Sequence, residues 1–390
     1  MNWPLSPIES IPPQLFTPPH CPWAPCPSHR TLQPAFRFRR HGSFSRSSDR
    51  RIVPRFLCLA CRRTFSQQTF AASYYLKRAD LSVPIAAGLV AGSAHRQLAR
   101  SLHCAPTTVT RRAARLGRHA LLLQARTVRS LGGLREPLCY DHFESFAHSQ
   151  DEPCGVGTLT GHQSWLLYGL DFAPHRRTGR TTPAQKARRR GWIDPPAPRA
   201  DPYRVACRES FSSLIERLDP AQPIIVFCDG KGSYLRAFRE RALRGRIAPR
   251  VHPNPRRGPK GSARSPEAVA RDKAMFPVDL LHGLLRHSAA HHRRETIAFG
   301  RRHNAMLERI FLFAVWRNLV KSRSERDRWS LTPAAYLGIV QGAWSWERVL
   351  AQRLFAWRER VPENWKKIYL REIRTRGLSI NRRHDLINAA

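Results

Sequence analysis

Apolar and polar positions alternate with different periods in different parts of this chain. Between Cys21 and Phe70, arginines interleave with aromatic residues in short runs such as "FRFRRHGSF" and "RIVPRFLCLACRRTF", which read as small strands around turns. From 71 to 130 the period lengthens. There "LSVPIAAGLVAGSAHRQLARSLHCAPTTVTRRAARLGRHALLLQA" carries its apolar residues at helical spacing. Ser93 is placed to cap a helix through Leu98 and Leu102, and "AP" breaks it. A second helix is predicted from Thr107 to about Leu116, with Val109, Ala113 and Leu116 inward. Helix, short turn and arginine-bearing helix make up the helix-turn-helix plan.

Further on, "LREPLCYDHFESF" (134–146) and "SWLLYGLDF" (164–172) read as strands joined through the Gly-rich "CGVGTLTGHQ". "YRVACRESFSSLIERL" is helical in spacing, "PIIVFCD" is a short buried strand, "SYLRAFRERALRG" a helix and "IAPRVHPNP" a strand end. The stretch from Ala268 to Val320 is helical in pattern, and aromatic-rich helices continue to Ala390. Trp316, Trp344, Trp346, Trp357 and Trp365 are expected in its core. This order predicts a mixed α/β, ribonuclease-H-like fold, with helices on the faces of a mixed sheet. The expected division is a disordered Pro-rich lead-in (1–20), a cysteine-bearing module (21–70), a helix-turn-helix domain (71–132), the ribonuclease-H-like domain (133–325) and a helical extension (326–390).

Charge changes this picture more than length does. Lys and Arg number 67 against 28 Asp and Glu, a formal net charge of +39, so a polyanion such as nucleic acid is the expected partner. Residues 1–140 hold 21 basic side chains and 4 acids, which suits a binding surface, whereas the other 24 acids all fall later. No run of about 18 apolar residues is present, and the N-terminus lacks the pattern of a signal peptide, so a cytoplasmic protein without membrane contact is expected.

Two kinds of chemistry-bearing residue stand out. Phosphoryl transfer with two metal ions needs carboxylates that converge from separate elements. Asp141 lies within a strand expected to be central, where an acid has no cheap structural role. Glu144, three residues on, falls on the opposite face. Asp229 ends an apolar strand before Gly230. That is where open sheets present ligands, and Asp-Gly is equally an ordinary turn signal. Glu308 is the expected third acid, on a helix with Leu307, Phe311 and Val315; Asp279 and Glu295 are its rivals. The second kind is thiols. Cys21 and Cys26 with Cys58 and Cys61 supply four in two close pairs, as the two knuckles of a zinc ribbon would, with His20 or His29 as an alternative to one of them. Cys104, Cys139, Cys154, Cys207 and Cys228 are expected in cores, and the His-rich 287–294 on a solvated or DNA-facing helix.

Through "RFLCLACRRTFS", "SAHRQLARSLHCAPTTVTRR", "YDHFES", "IIVFCDGKGSY" and "RRHNAMLERIFLFAVWRN", the chain resembles the DDE transposases of bacterial insertion sequences that carry an N-terminal zinc ribbon and helix-turn-helix. The resemblance implies that Asp141, Asp229 and Glu308 hold Mg²⁺ or Mn²⁺, and that Cys21, Cys26, Cys58 and Cys61 hold a structural Zn²⁺. It implies that Arg96, Arg100, Thr107, Thr108, Thr110, Arg111, Arg112 and Arg115 contact double-stranded DNA. The partners so implied are the terminal inverted repeats and target DNA. The activity is metal-dependent cleavage and strand transfer by a homo-oligomer at the nucleoid. A non-catalytic DNA-binding regulator and a structure-specific nuclease are the alternatives.

Overall fold

The computed structural model describes all residues except 2, 31–34, 178, 191–200, 220, 257, 260, 294–295 and 379–390. Glu295, one rival of Glu308, therefore lies outside the described residues. The N-terminal part holds a one-turn helix, α1 (Pro27–Arg30), and three antiparallel strands in the order β1 (Phe38–Ser45), β2 (Ile52–Cys58), β3 (Thr64–Ser66). Phe38, Phe56 and Phe65 pack on one another and on Phe16 and Phe70, and the cysteines close the same small core.

Of the described residues in 1–20, Trp3, Ile8 and Phe16 pack into the protein, where a disordered lead-in was expected. Trp3 stacks on Trp344 at 5.7 Å and donates its indole N–H to the Arg348 carbonyl at 2.6 Å. The Ile8 amide donates to the Ala351 carbonyl at 2.7 Å, and Phe16 is buried. The prolines that suggested disorder restrict the unfolded chain as well, which lowers the entropy lost on docking. The apolar residues between them supply the contacts.

Three helices come next: α2 (Ser82–Val90), α3 (His95–Ser101) and α4 (Pro106–Arg129). Ala94, rather than Ser93, precedes the first turn of α3, and Gln97 Oε1 accepts the Ala94 N–H at 2.7 Å. Pro106 opens α4, where a missing N–H costs nothing. The helix runs 24 residues, well past Leu116, because Ala, Leu and Arg continue on both sides of Gly117, whose missing side chain lets α4 approach Glu308.

The large sheet is built from β4 (Leu138–Phe146), β5 (Pro153–Gly161), β6 (Leu167–Leu170) and β7 (Ala173–Pro174). After α5 (Pro183–Arg190) and α6 (Pro202–Ser212) it is completed by β8 (Ile224–Cys228), α7 (Gly232–Phe238) and β9 (Ile247–Val251). Strand order is β6-β5-β4-β8-β9, with β7 on β5. The β4–β5 and β5–β6 pairs are antiparallel, and β4–β8 and β8–β9 are parallel. The expected Gly-rich connection "CGVGTLTG" is instead buried strand β5. Its glycines make room for neighbours: a Cβ at Gly157 would lie 2.2 Å from both Asp171 carboxylate oxygens, and one at Gly155 would meet His142 and Tyr203.

Helix α8 (Pro266–Ser288) covers one face of the sheet, with Met275 and Val278 over Cys139 and Phe227. Helices α6 and α7 cover the other, where Tyr140 meets Phe211 and Tyr234. The helical run expected from Ala268 to Val320 is interrupted: 296–302 is not helical, and α9 (His303–Val315) starts afresh and ends in a π-turn, Trp316–Val320. Helix α9 lies against the buried half of α4, and a Cβ at Gly117 would sit 2.4 Å from the Glu308 carbonyl oxygen. Helices α4 and α9 share one hydrophobic core with the large sheet, so the helix-turn-helix segment is continuous in packing with the sheet and its helices. His291 and His292, expected on an exposed helix, are buried, and His292 packs on Phe143 at 5.0 Å.

The C-terminal part adds α10 (Pro333–Tyr336), α11 (Trp346–Val349) and α12 (Glu363–Tyr369). Trp344, Trp346 and Trp365 are buried, but Trp357 is 61% exposed rather than in the core, because it lies on a single surface turn. Among the described residues no helix is long and apolar enough to cross a membrane.

Candidate functional site

Strand register brings two of the predicted acids together. In the parallel β4–β8 pair, Leu138 faces Val226 and Cys139 faces Phe227. Continuing that register by two residues sets Asp141 beside Asp229. Both then lie on the face of Cys139 and Phe227, the face that α8 covers. Glu144 points the other way, accepting from the Tyr203 hydroxyl at 2.9 Å.

The local backbone explains how each carboxylate is presented. Gly230 has φ +83°, in the region that glycine favours, and a Cβ there would meet Val251 Cγ1 at 2.6 Å. The turn this permits lets Asp229 Oδ1 accept the Lys231 N–H at 3.0 Å. Asp141 Oδ1 accepts the His142 N–H at 2.7 Å and lies 3.3 Å from the Tyr234 hydroxyl. In each aspartate, among the described residues, Oδ2 takes no protein hydrogen bond. Burial, then the negative charge of Asp229, pushes the Asp141 carboxyl up to about 6, with Asp279 adding a smaller push against the His142 N–H.

Asp279 is the third carboxylate near this pair. It follows Val278 on α8, and its side chain is 40% exposed. Arg271, eight residues earlier, pairs with it, one contact being 3.2 Å. Burial works to lower Arg271, but the bond to Asp279 and the charges of Asp279 and Asp141 outweigh that and raise it. The signal for Asp279 in the sequence was its place on the first long helix after the last strand.

Glu308 is not brought to this site. Its two oxygens are held at 2.6 Å each by the Arg371 guanidinium, and it is 1% exposed in the α4–α9 contact. Burial pushes its carboxyl up while Arg371 opposes. The helical pattern that singled it out marks a buried helix, and its charge is matched there by an arginine 63 residues later in the chain.

The four predicted thiols do converge. All of their sulfurs lie within 4.8 Å of one another, with Cys21–Cys61 at 3.7 Å and Cys26–Cys58 at 3.8 Å. For Zn–S bonds near 2.3 Å, a tetrahedron has an edge of about 3.8 Å. This buried group could hold a structural metal ion and is compatible with zinc. Burial pushes the Cys21 and Cys26 thiols up. It does the same at Cys58, but the N–H groups of Cys61 and Ala60 outweigh it and lower that thiol. His20 and His29 stand outside the group, their Nδ1 atoms 3.0 and 2.7 Å from the Cys21 carbonyl oxygen. Among the described residues it is the only cluster of three or more potential ligands this tight, and the aspartates are spaced more widely.

The predicted DNA-facing residues divide into two sets. Arg96, Arg100, Thr107, Thr110 and Arg111 are exposed and Thr108 is half-buried. Arg112 is 6% exposed, bonded to the Ser82 hydroxyl and, at 2.9 Å, to the Arg78 carbonyl. Arg115 donates to the Ala72 carbonyl at 3.1 Å. These two face inward because α4 turns that side toward α2 and the segment before it. Two residues after Asp229, Lys231 lies 3.2 Å over the Tyr203 ring and pairs with Glu144, while the exposed α5 carries Lys186, Arg188, Arg189 and Arg190, with Arg189 paired to Asp151.

Comparison with protein-family models, curated proteins and solved structures gave no match to this chain.

Proposed function

We propose that the protein is a metal-dependent phosphodiester-cleaving and strand-transferring enzyme of the DDE transposase kind, acting on double-stranded DNA at the nucleoid. The observation that carries this reading is the shared level of Asp141 and Asp229 on neighbouring parallel strands in the order β6-β5-β4-β8-β9. That order, three antiparallel strands followed by two parallel ones, supports the ribonuclease-H-like reading of the sheet. Asp279 replaces Glu308 as the third acid, since it comes from the helix that covers the aspartate face.

The donor set fits a hard divalent cation: carboxylate oxygens, two of them free of protein hydrogen bonds. Two cations about 4 Å apart are served by carboxylates spread wider than a single tight cluster. When bound, Mg²⁺ or Mn²⁺ would activate the attacking water or 3′-hydroxyl and offset charge on the phosphate. The chain's own contribution is to hold Asp141 and Asp229 at one level, keep Asp279 alongside through Arg271, and present cations around the site. Arg96, Arg100, Thr107, Thr110 and Arg111 would contact the DNA ends. A zinc ribbon at 21–70 would fix the N-terminal strands.

The test is nicking of duplex DNA by the full chain with Mg²⁺ or Mn²⁺. A metal ligand set contributes several kcal/mol, or about a thousand-fold at 1.36 kcal/mol per decade, so Asp229→Asn should lose about that much. Wild-type cleavage by Asp229→Asn would sink the assignment. DNA binding with no cleavage under any metal would favour the regulator instead.

A further inference from the structure

Behind Asp141 lies a buried polar chain that the phosphoryl-transfer reading does not use. Asp171 is 1% exposed, accepts from the Tyr140 hydroxyl at 2.7 Å and the Gly157 N–H at 3.0 Å, and lies 3.2 Å from His142 Nε2. His142 Nδ1 is 2.8 Å from the Tyr234 hydroxyl, and the two rings stack with 15° between their planes. The Tyr234 oxygen is in turn 3.3 Å from Asp141 Oδ1. Four side chains from β4, the segment after β6, and α7 thus lie in a row from buried Asp171 to the half-buried candidate ligand, hydrogen-bonded at His142–Tyr234 and Tyr234–Asp141 and in close approach without a hydrogen bond at His142 Nε2.

A buried carboxylate is costly unless its partners are fixed, and β5 gives up a side chain at Gly157 to make space for this one. The chain would be wasteful as packing alone, since an apolar trio of similar shape would fill the same space without the desolvation penalty. Its effect on Asp141 is specific. Oδ1 has the His142 N–H and the Tyr234 hydroxyl beside it, so the carboxylate cannot turn freely and Oδ2 is left without a protein hydrogen bond.

We propose that Asp171, His142 and Tyr234 are positioning residues that lock the Asp141 carboxylate so that one oxygen is presented to the cation. This rests on the carboxylate reading above. Partners of this kind typically account for 10–100-fold in metal affinity.

The test is Mn²⁺ binding to the full chain, measured through the electron paramagnetic resonance signal of free Mn²⁺, with thermal melting as a control for folding. The variants are Asp141→Asn, Tyr234→Phe and Asp171→Asn. Tyr234→Phe keeps the ring stack and removes only the hydroxyl. The expected result is loss of Mn²⁺ binding in Asp141→Asn and about ten-fold weaker binding in both Tyr234→Phe and Asp171→Asn. Wild-type Mn²⁺ affinity in the last two, with binding lost in Asp141→Asn, would overturn the positioning role and leave the carboxylate site standing. No Mn²⁺ binding by the wild type would overturn both. If Tyr234→Phe does not fold, Asp171→Asn decides the matter by the same measurement.

Discussion

The four-cysteine group and the aspartate group solve opposite problems. The thiols are drawn together until their sulfurs are within 4.8 Å, in a small core where three of the four cysteines are buried. Such a closed set of soft donors leaves no position for a substrate, as in structural metal sites. The aspartates are half-buried, each has one oxygen tied to a backbone N–H, and the other is free. Hard, open donor sets are what chemistry on a phosphate requires. The difference teaches that candidate metal-ligand residues in one chain should be read by how much of each donor the protein leaves unused.

The largest break in this comparison should come from removing the metal that the four thiols could hold. Structural zinc contributes on the order of 10 kcal/mol in small modules. A chelator, or Cys58→Ser, should therefore unfold residues 21–70 in hydrogen exchange while Mn²⁺ binding that depends on Asp141 persists. Loss of both together would mean the two sites are not independent. Next in size is Glu308→Gln. Arg371 is a quarter exposed, so leaving it without its carboxylate should cost about 1–3 kcal/mol in urea unfolding, without changing the metal dependence of cleavage in the folded fraction. Asp279→Asn should do the reverse, with stability within about 0.5 kcal/mol of wild type and cleavage lowered about a hundred-fold. If the two variants exchange behaviours, Glu308 is the third acid after all. The smallest effect belongs to the surface. Arg111→Ala should weaken DNA binding and reduce its salt slope by about one. Arg112→Ala should instead lower the melting temperature, since its guanidinium is bonded within the protein.

Period and order carried much of the mixed fold. Strands at 138–146 and 224–228 and helices at 202–212 and 232–238 fall where the apolar spacing puts them. What the spacing could not show was long-range. The stretch 153–161 reads as loop because glycine lacks a side chain to pack, yet those glycines are there because Asp171, His142 and Tyr203 occupy the space. Glu308 and Asp279 both sit on helices of suitable pattern, and only their partners tell them apart: Arg371 for one, and for the other Arg271 in the field of Asp141. Each cysteine knuckle was legible because it depends on local spacing, and the fold then brings the sulfurs of one onto those of the other. The inward turn of Arg112 was not, because it depends on Ser82 and Arg78, some thirty residues earlier in the chain.

Trp3 against Trp344, and the Ile8 amide on the Ala351 carbonyl, have a consequence for how the chain is made. At about 5–20 residues per second, a ribosome needs roughly 17–70 s to travel between the two tryptophans. Throughout that interval Trp3 lacks the ring it stacks on, although Phe16 can already pack on Phe56 and Phe70. That contact, between residues 341 positions apart, closes only once both segments have been made.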